Sequence, residues 1–156
     1  MKKYLDKILI CTGLVLAAVA IILLVAPGIT LKSEYKALTA MGAAENYSMA
    51  NITFGYKNAL GAAVFKFSFP NLLTYILIAA GMVCAVIALL GKGGKIVSFV
   101  ACGLFLVGGV LYFCAGKLLV NDNPSDYYTI GIGSILGGVF SILASCAVLV
   151  PVFIKK

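Results

Sequence analysis

The side chains that could carry chemistry in this chain are few. The 156 residues include no histidine, which excludes catalysis and metal binding by imidazole. Every basic residue is a lysine, so the bidentate arginine clamps that hold phosphate groups are also excluded. The acids beyond the N-terminal segment are isolated in predicted loops, where they form no pair suited to acid–base work: Glu34, Glu45, Asp122 and Asp126. We therefore expect no enzyme activity and no cofactor.

Five cysteines are the remaining candidates for reactive or metal-binding groups. They are Cys11, Cys84, Cys102, Cys114 and Cys146, and each lies in a long apolar stretch. None has the C-x-x-C spacing of redox and zinc sites, and none lies in a polar loop where a structural disulfide would form. Buried cysteine usually behaves as a small apolar residue. Packing roles are expected, and a copper or redox site is the less favoured alternative.

Two short segments have the composition of ion-binding loops. Residues 121–126 read Asn-Asp-Asn-Pro-Ser-Asp, which offers oxygen ligands for calcium, but the glycine and distal glutamate of an EF-hand are missing. Residues 91–95 read Gly-Lys-Gly-Gly-Lys, but the spacing of a phosphate-binding loop is missing. Both are predicted to be ordinary turns, and no metal site is expected.

Composition indicates the class of protein. Hydrophobic residues make up 63% of the chain and charged residues 11%, and a soluble domain of this size could not bury so much apolar surface. Four stretches are long enough to cross a bilayer and contain no ionised side chain: 8–26, 72–90, 96–115 and 130–154. Backbone groups in lipid must bond to one another, so each stretch is predicted to be helical. The predicted fold is a single-domain, all-α membrane protein, a four-transmembrane-helix bundle with a small extracytoplasmic cap.

The lysines are distributed unequally between the segments that flank these spans. Seven lie in three very short segments in which Asp6 is the only acid: Lys2, Lys3, Lys7, Lys92, Lys95, Lys155 and Lys156. The other lysines are diluted over longer loops and balanced by acids. The positive-inside rule then predicts a cell-membrane protein with both termini cytoplasmic. Nucleic-acid binding is not expected, because the lysines flank spans and form no stripe.

The loop of residues 27–71 is predicted to form the cap. Residues 33–44 allow a short helix. Residues 51–69 change to a period of two around a turn composition at 58–61, which predicts a β-hairpin. The hairpin aromatics are the predicted outer contact surface: Phe54, Tyr56, Phe65, Phe67 and Phe69. The alternative is that they pack on the helix ends or on the rest of the loop.

The fourth span carries small residues at four-residue intervals. They are Gly133, Gly137, Ser141 and Ser145. Small residues let helix backbones approach closely in lipid, where no hydrophobic drive between helices exists. This strip is predicted either to pack inside the bundle, which is the favoured interpretation, or to bind another copy or another membrane protein.

This layout resembles that of claudin-like tetraspan proteins. The shared features are two inner termini, a large first outer loop with strands, a short inner turn and a smaller second outer loop. The resemblance is one of topology, because the tryptophan motif and cysteine pair of the claudin loop are absent, as is the C-C-G motif of the tetraspanin second outer loop. It carries over no functional residue.

The spans as predicted contain no ionisable group, which disfavours ion-coupled transport. We therefore predict a function in interaction, as an accessory subunit, a scaffold or a self-associating protein in the lipid bilayer. Two alternatives remain open. One is a small transporter or channel whose path forms on oligomerisation, and the other is a lipid-binding membrane protein with apolar grooves between its spans.

Overall fold

Four long apolar helices form the body of the protein in the computed structural model, which describes residues 2–41, 43–57, 61, 63–117 and 127–154. The long helices are α1 (Lys2–Ile22), α3 (Phe69–Leu89), α4 (Gly94–Phe113) and α5 (Ile132–Ile154), and α2 (Met49–Phe54) is a short helix between them. A 3-10 segment, Leu23–Val25, continues α1. At about 1.5 Å per residue the long helices match a bilayer core of about 30 Å. All four are long and apolar enough to span a membrane.

The long helices pack as a ring in which each contacts two neighbours. Helix α1 packs against α3 and α5, and α4 packs against the same two helices. The buried side chains are mostly small or medium in size: Ala17, Ala20, Ile78, Ala85, Ala101, Phe105, Tyr112, Ala144 and Val148. Glycines bring the backbones close, since a Cβ atom at Gly108 would lie 2.7 Å from the side chain of Ile78. The result is a tight four-helix bundle.

Large apolar side chains cover the outer faces of these helices. Exposed examples occur on every long helix, among them Val15, Val83, Leu106 and Leu143. A helix satisfies its own backbone hydrogen bonds and can therefore present such a face to lipid. In length and composition these four helices are those of a multi-pass membrane protein.

The two ends of the bundle differ. One end, here called the turn end, carries the start of α1, the end of α5 and the turn between α3 and α4. The other, the sheet end, carries a three-stranded antiparallel sheet in the order β2 (Asn46–Ser48), β1 (Pro27–Leu31), β5 (Tyr128–Ile130). Ile29 pairs with Tyr47 on one side and Ile130 on the other. The sheet thus joins the two loops at this end, a pairing the sequence did not predict.

The expected helix over residues 33–44 is a 3-10 helix, Ser33–Met41. The hairpin expected over residues 51–69 is smaller than predicted, because its first part is helical. The Ser48 hydroxyl accepts a hydrogen bond from the Asn51 N–H at 3.2 Å, which caps the start of α2. Among the described residues of this segment, strand pairing is confined to β3 (Tyr56–Lys57) and β4 (Ala63–Phe65). The predicted turn at 58–61 falls mostly on residues outside those described.

Asp6 is part of the first helix. The sequence placed it in a tail outside the first span, but it lies in α1, where it is buried. It shares the inward face of that helix with Ile10, Gly13, Ala17 and Ala20, at alternating spacings of four and three residues. The predicted span, residues 8–26, contains no ionised side chain, but helix α1 begins earlier, at Lys2, and includes Asp6. Extending this small-residue period towards the N-terminus is the signal that would have found Asp6.

Candidate interaction surfaces

The small-residue strip of α5 packs against this chain itself. A Cβ atom at Gly133 would lie 2.8 Å from the Pro27 carbonyl oxygen, and one at Gly137 would lie 2.5 Å from the ring of Tyr112. Neither position has room for a side chain, because backbone or a buried ring already occupies the space. These two glycines therefore allow the close approach of α5 to β1 and α4.

The two serines of the strip join α5 to α4. The Ser141 hydroxyl donates to the Phe105 carbonyl at 2.7 Å, and the Ser145 hydroxyl donates to the Cys102 carbonyl at 2.9 Å. All four residues of the predicted strip are buried. The geometry favours the alternative in which the strip packs inside the bundle. Contact with another protein through the strip stays a prediction, because none of these four residues is exposed.

The five predicted contact aromatics separate into two groups. Phe65 is buried and Tyr56 is half-buried, and both rings meet the ring of Tyr47 edge to face, at centroid distances of 4.8 Å and 5.4 Å. Tyr47 lies in β2, so these contacts fix the hairpin to the three-stranded sheet. Tyr56 and Phe65 therefore have a structural partner within the chain.

The other three form an exposed surface, the aromatic face, defined by Phe54, Phe67 and Phe69. Their side chains are 57%, 50% and 58% exposed. Phe54 ends α2, Phe69 begins α3, and Phe67 lies in the connection that leads into α3. Gly55 takes a positive φ of 92°, and a Cβ atom there would lie 3.0 Å from the Phe65 carbonyl oxygen. That glycine turns the chain so that Phe54 and Phe67 line one groove of about 340 Å³.

Two lysines give this groove its charge. Lys57 and Lys66 both line it, both are exposed, and the lining contains no acid among the residues that the structure describes. The one ion pair found in the described part of the chain lies elsewhere, between Lys36 and Glu45 at 3.6 Å, with both side chains exposed. The groove is thus apolar with a basic rim.

A tyrosine pair braces the three-stranded sheet beside the groove. Tyr47 and Tyr128 meet edge to face at 5.5 Å, and the Tyr128 hydroxyl donates to the Ala44 carbonyl at 3.4 Å. Burial, with a further contribution from Tyr47, raises the pKa of the Tyr128 hydroxyl. The hydroxyl therefore stays protonated and able to donate through neutral pH. This pair supports the sheet.

The cysteines form no further site among the residues that the structure describes. In the described ranges no three Cys, Asp or Glu side chains cluster closely enough to hold a metal ion. Cys102 contacts the Ser145 hydroxyl at 3.0 Å within the α4–α5 seam, whereas Cys11 and Cys146 lie exposed on their helices. The segment 121–126 lies outside the described residues.

Known proteins do not add a function to this geometry. No protein-family model, no curated protein and no solved structure matches the chain.

Proposed function

We propose that this multi-pass protein acts by binding another membrane protein through the aromatic face, without catalytic chemistry of its own. One observation carries the proposal: three phenylalanines close together in the sequence are each at least half exposed at the sheet end, whereas the neighbouring loop aromatics pack inward. Phenylalanine has no polar group to hold it in water, and contiguous exposed apolar surface beside a charged rim is typical of binding sites.

The proposed orientation puts the sheet end outside the cell and both termini in the cytoplasm of a cell-membrane protein. The support is the excess of lysines at the turn end, among them Lys7, Lys92 and Lys95, with Asp6 as the one acid there. In this orientation the aromatic face lies at the outer membrane surface. A partner anchored in the same membrane could contact the aromatic face at that surface.

The chemistry of the groove indicates what the partner presents. Phe54 and Phe67 require an apolar pocket or ridge, and the exposed ammonium groups of Lys57 and Lys66 favour carboxylates around it. We therefore infer a membrane protein with an acidic, apolar surface close to the bilayer. A second copy of this chain and a lipid are the competing occupants, and crosslinking separates them.

In the test, a photoreactive phenylalanine analogue replaces Phe67 in one variant and Phe153 in another, and crosslinks are formed in native membranes. Phe153 is a matched control, because it is 67% exposed and lies at the opposite end of the bundle. We expect a discrete protein adduct from position 67 and none from position 153. Mass spectrometry identifies the adduct.

Charge reversal then tests the partner chemistry. The Lys57→Glu/Lys66→Glu double variant is expected to lower the yield of that adduct by about tenfold, which corresponds to about 1.4 kcal/mol of binding free energy. Lipid adducts alone, equal adducts at positions 67 and 153, or an unchanged yield after charge reversal would overturn the proposal. An adduct with a second copy would replace the separate partner by self-association.

A further inference from the structure

The turn end contains a cavity that the proposed interaction does not use. It has a volume of about 210 Å³ and lies between the ends of the four long helices, with Asp6 of α1, Lys95 and Ser98 of α4, and Pro151 of α5 among its lining residues. Drug-sized ligands occupy pockets of about 300–1,000 Å³. This cavity is therefore sized for a smaller group.

Asp6 is the unusual residue in this cavity. Its side chain is 8% exposed, and its Oδ1 atom is buried with no hydrogen-bond partner among the residues that the structure describes. No lysine whose side chain the structure describes comes within 4.0 Å of this carboxyl group, although Lys95 lines the same cavity. A buried carboxyl oxygen without a donor is unfavourable, so a donor supplied from outside the chain would be bound strongly.

The start of α4 favours a negative charge next to the same cavity. Gly93, the N-cap residue, has a positive φ of 81° and no side-chain capping hydrogen bond, and the first turn contains no acid. The first backbone N–H groups of the helix are thus left for an anion, and the helix dipole favours negative charge there. Lys95 lies in this first turn and contributes an ammonium group. The cavity therefore has a carboxyl group on one helix and, on Lys95 at the start of another, an ammonium group.

We propose that this cavity binds a phosphoethanolamine group, with its ammonium on Asp6 and its phosphate at the start of α4 beside Lys95. A primary ammonium donates hydrogen bonds to the Asp6 carboxyl group, which a quaternary ammonium cannot do. The helix ends lie where phospholipid headgroups lie in a membrane spanned by these helices, so the favoured source is phosphatidylethanolamine. The inference depends on the membrane placement of the chain and not on the aromatic face.

Native mass spectrometry of the full chain tests the site. The protein is purified from liposomes that contain equal amounts of phosphatidylethanolamine and phosphatidylcholine with the same acyl chains. We expect the ethanolamine lipid to be retained at least about tenfold over the choline lipid, because only its ammonium carries N–H donors. Equal retention of the two lipids, or retention of neither, would overturn the proposal.

Variants link the retained lipid to the cavity. Asp6→Asn and Lys95→Gln are each expected to lower ethanolamine-lipid retention by about tenfold, whereas Lys7→Gln, an exposed lysine adjacent to Asp6 in sequence, leaves it unchanged. Thermal unfolding in lipid-free detergent verifies that each variant folds. If Asp6→Asn misfolds, Lys95→Gln still decides, because that residue is exposed. Full retention by a folded Lys95→Gln or Asp6→Asn variant would overturn the proposal.

Free phosphoethanolamine separates the two sources of the ligand. If the lipid is the ligand, millimolar phosphoethanolamine leaves the retained lipid in place. If it displaces the lipid from wild-type protein but binds no better than phosphocholine to Asp6→Asn, the site takes a soluble compound of the same chemistry. Both results support the site, and neither bears on the partner of the aromatic face.

Discussion

Gly137 packs against a tyrosine ring that has little freedom to move. The ring of Tyr112 is fully buried, and its hydroxyl donates to the Ala20 carbonyl on α1, across the bundle. A methyl group at position 137 would overlap that ring, since the Cβ position lies 2.5 Å from it. At positions of this kind, the neighbouring side chain leaves room only for a small residue.

The first prediction follows from that contact. Gly137→Ala is expected to destabilise the bundle by about 1–2 kcal/mol, because overpacking outweighs the gain in helix propensity. Gly103→Ala on α4 is the matched control, since nothing lies within 4 Å of a Cβ atom there. Its thermal unfolding temperature in detergent should be unchanged or slightly higher. Equal behaviour of the two variants would show that Gly137 does not face the ring.

Asp6 shows that the identity of a residue does not by itself predict its surroundings. In the sequence, Asp6 lies next to Lys7 and close to the first apolar run. Its position in a buried face depends on α1 starting at Lys2 and on three other helices closing around it. The surroundings that give Asp6 its proposed binding role are therefore formed by residues distant in the sequence.

At the level of elements, the α4–α5 seam is joined by hydrogen bonds as well as by close packing. Ser141 and Ser145 each donate to a carbonyl of α4. Interhelical hydrogen bonds in membranes contribute about 0.6 kcal/mol each on average. The contribution is modest because the hydroxyls also find hydrogen-bond partners when the chain is unfolded in the membrane.

The second prediction concerns this seam. Ser141→Ala/Ser145→Ala is expected to lower the free energy of unfolding by about 1 kcal/mol. The control is Thr12→Ala, which removes a hydroxyl that bonds only to the Ile8 carbonyl of its own helix and is exposed. That variant should change stability by less than about 0.5 kcal/mol. A double variant as stable as the control would exclude the serines as interhelical links. Unfolding by chemical denaturant in detergent provides the measurement.

The short helix α2 shows why elements of a few residues are poorly predicted. Ile52, Phe54 and Tyr56 alternate as in a strand, which is the reason a hairpin was expected there. In a segment of six residues this period cannot be told from a single helical turn. The Ser48 cap and the burial of Met49 and Ile52 favour the helix. The hairpin survives only where Tyr56 and Phe65 pair across the strands.

For the whole molecule, the sheet closes one end of the bundle. β1 follows the first long helix, and β5 precedes the last, so their pairing holds α1 and α5 together beyond the helix ends. The Gly131 N–H also donates to the Gly28 carbonyl at 2.8 Å. This connection fixes the three-stranded sheet, which supports α2 and the aromatic face.

The third prediction tests the proposed orientation of the whole chain. In intact cells, a membrane-impermeant maleimide should label a Ser33→Cys variant at the sheet end and should label a Lys92→Cys variant at the turn end only after permeabilisation. Both positions are exposed. The wild-type chain sets the background, because its described cysteines lie on or directly after the long helices. Labelling of both variants from the same side would contradict the proposed topology.

The number of long helices, their apolar character and their approximate places were readable from the sequence alone. Hydropathy summed over about twenty neighbouring residues is a local property, and lipid leaves the backbone in such a run little choice but a helix. The pairing of β1 with β5, the inward turn of the α5 strip and the burial of Asp6 depend on residues far apart in the chain. Ile29 and Ile130 are about a hundred positions apart, and they meet only because the bundle brings their helices together. No local pattern encodes such contacts, since a three-residue strand is specified by the partner it finds.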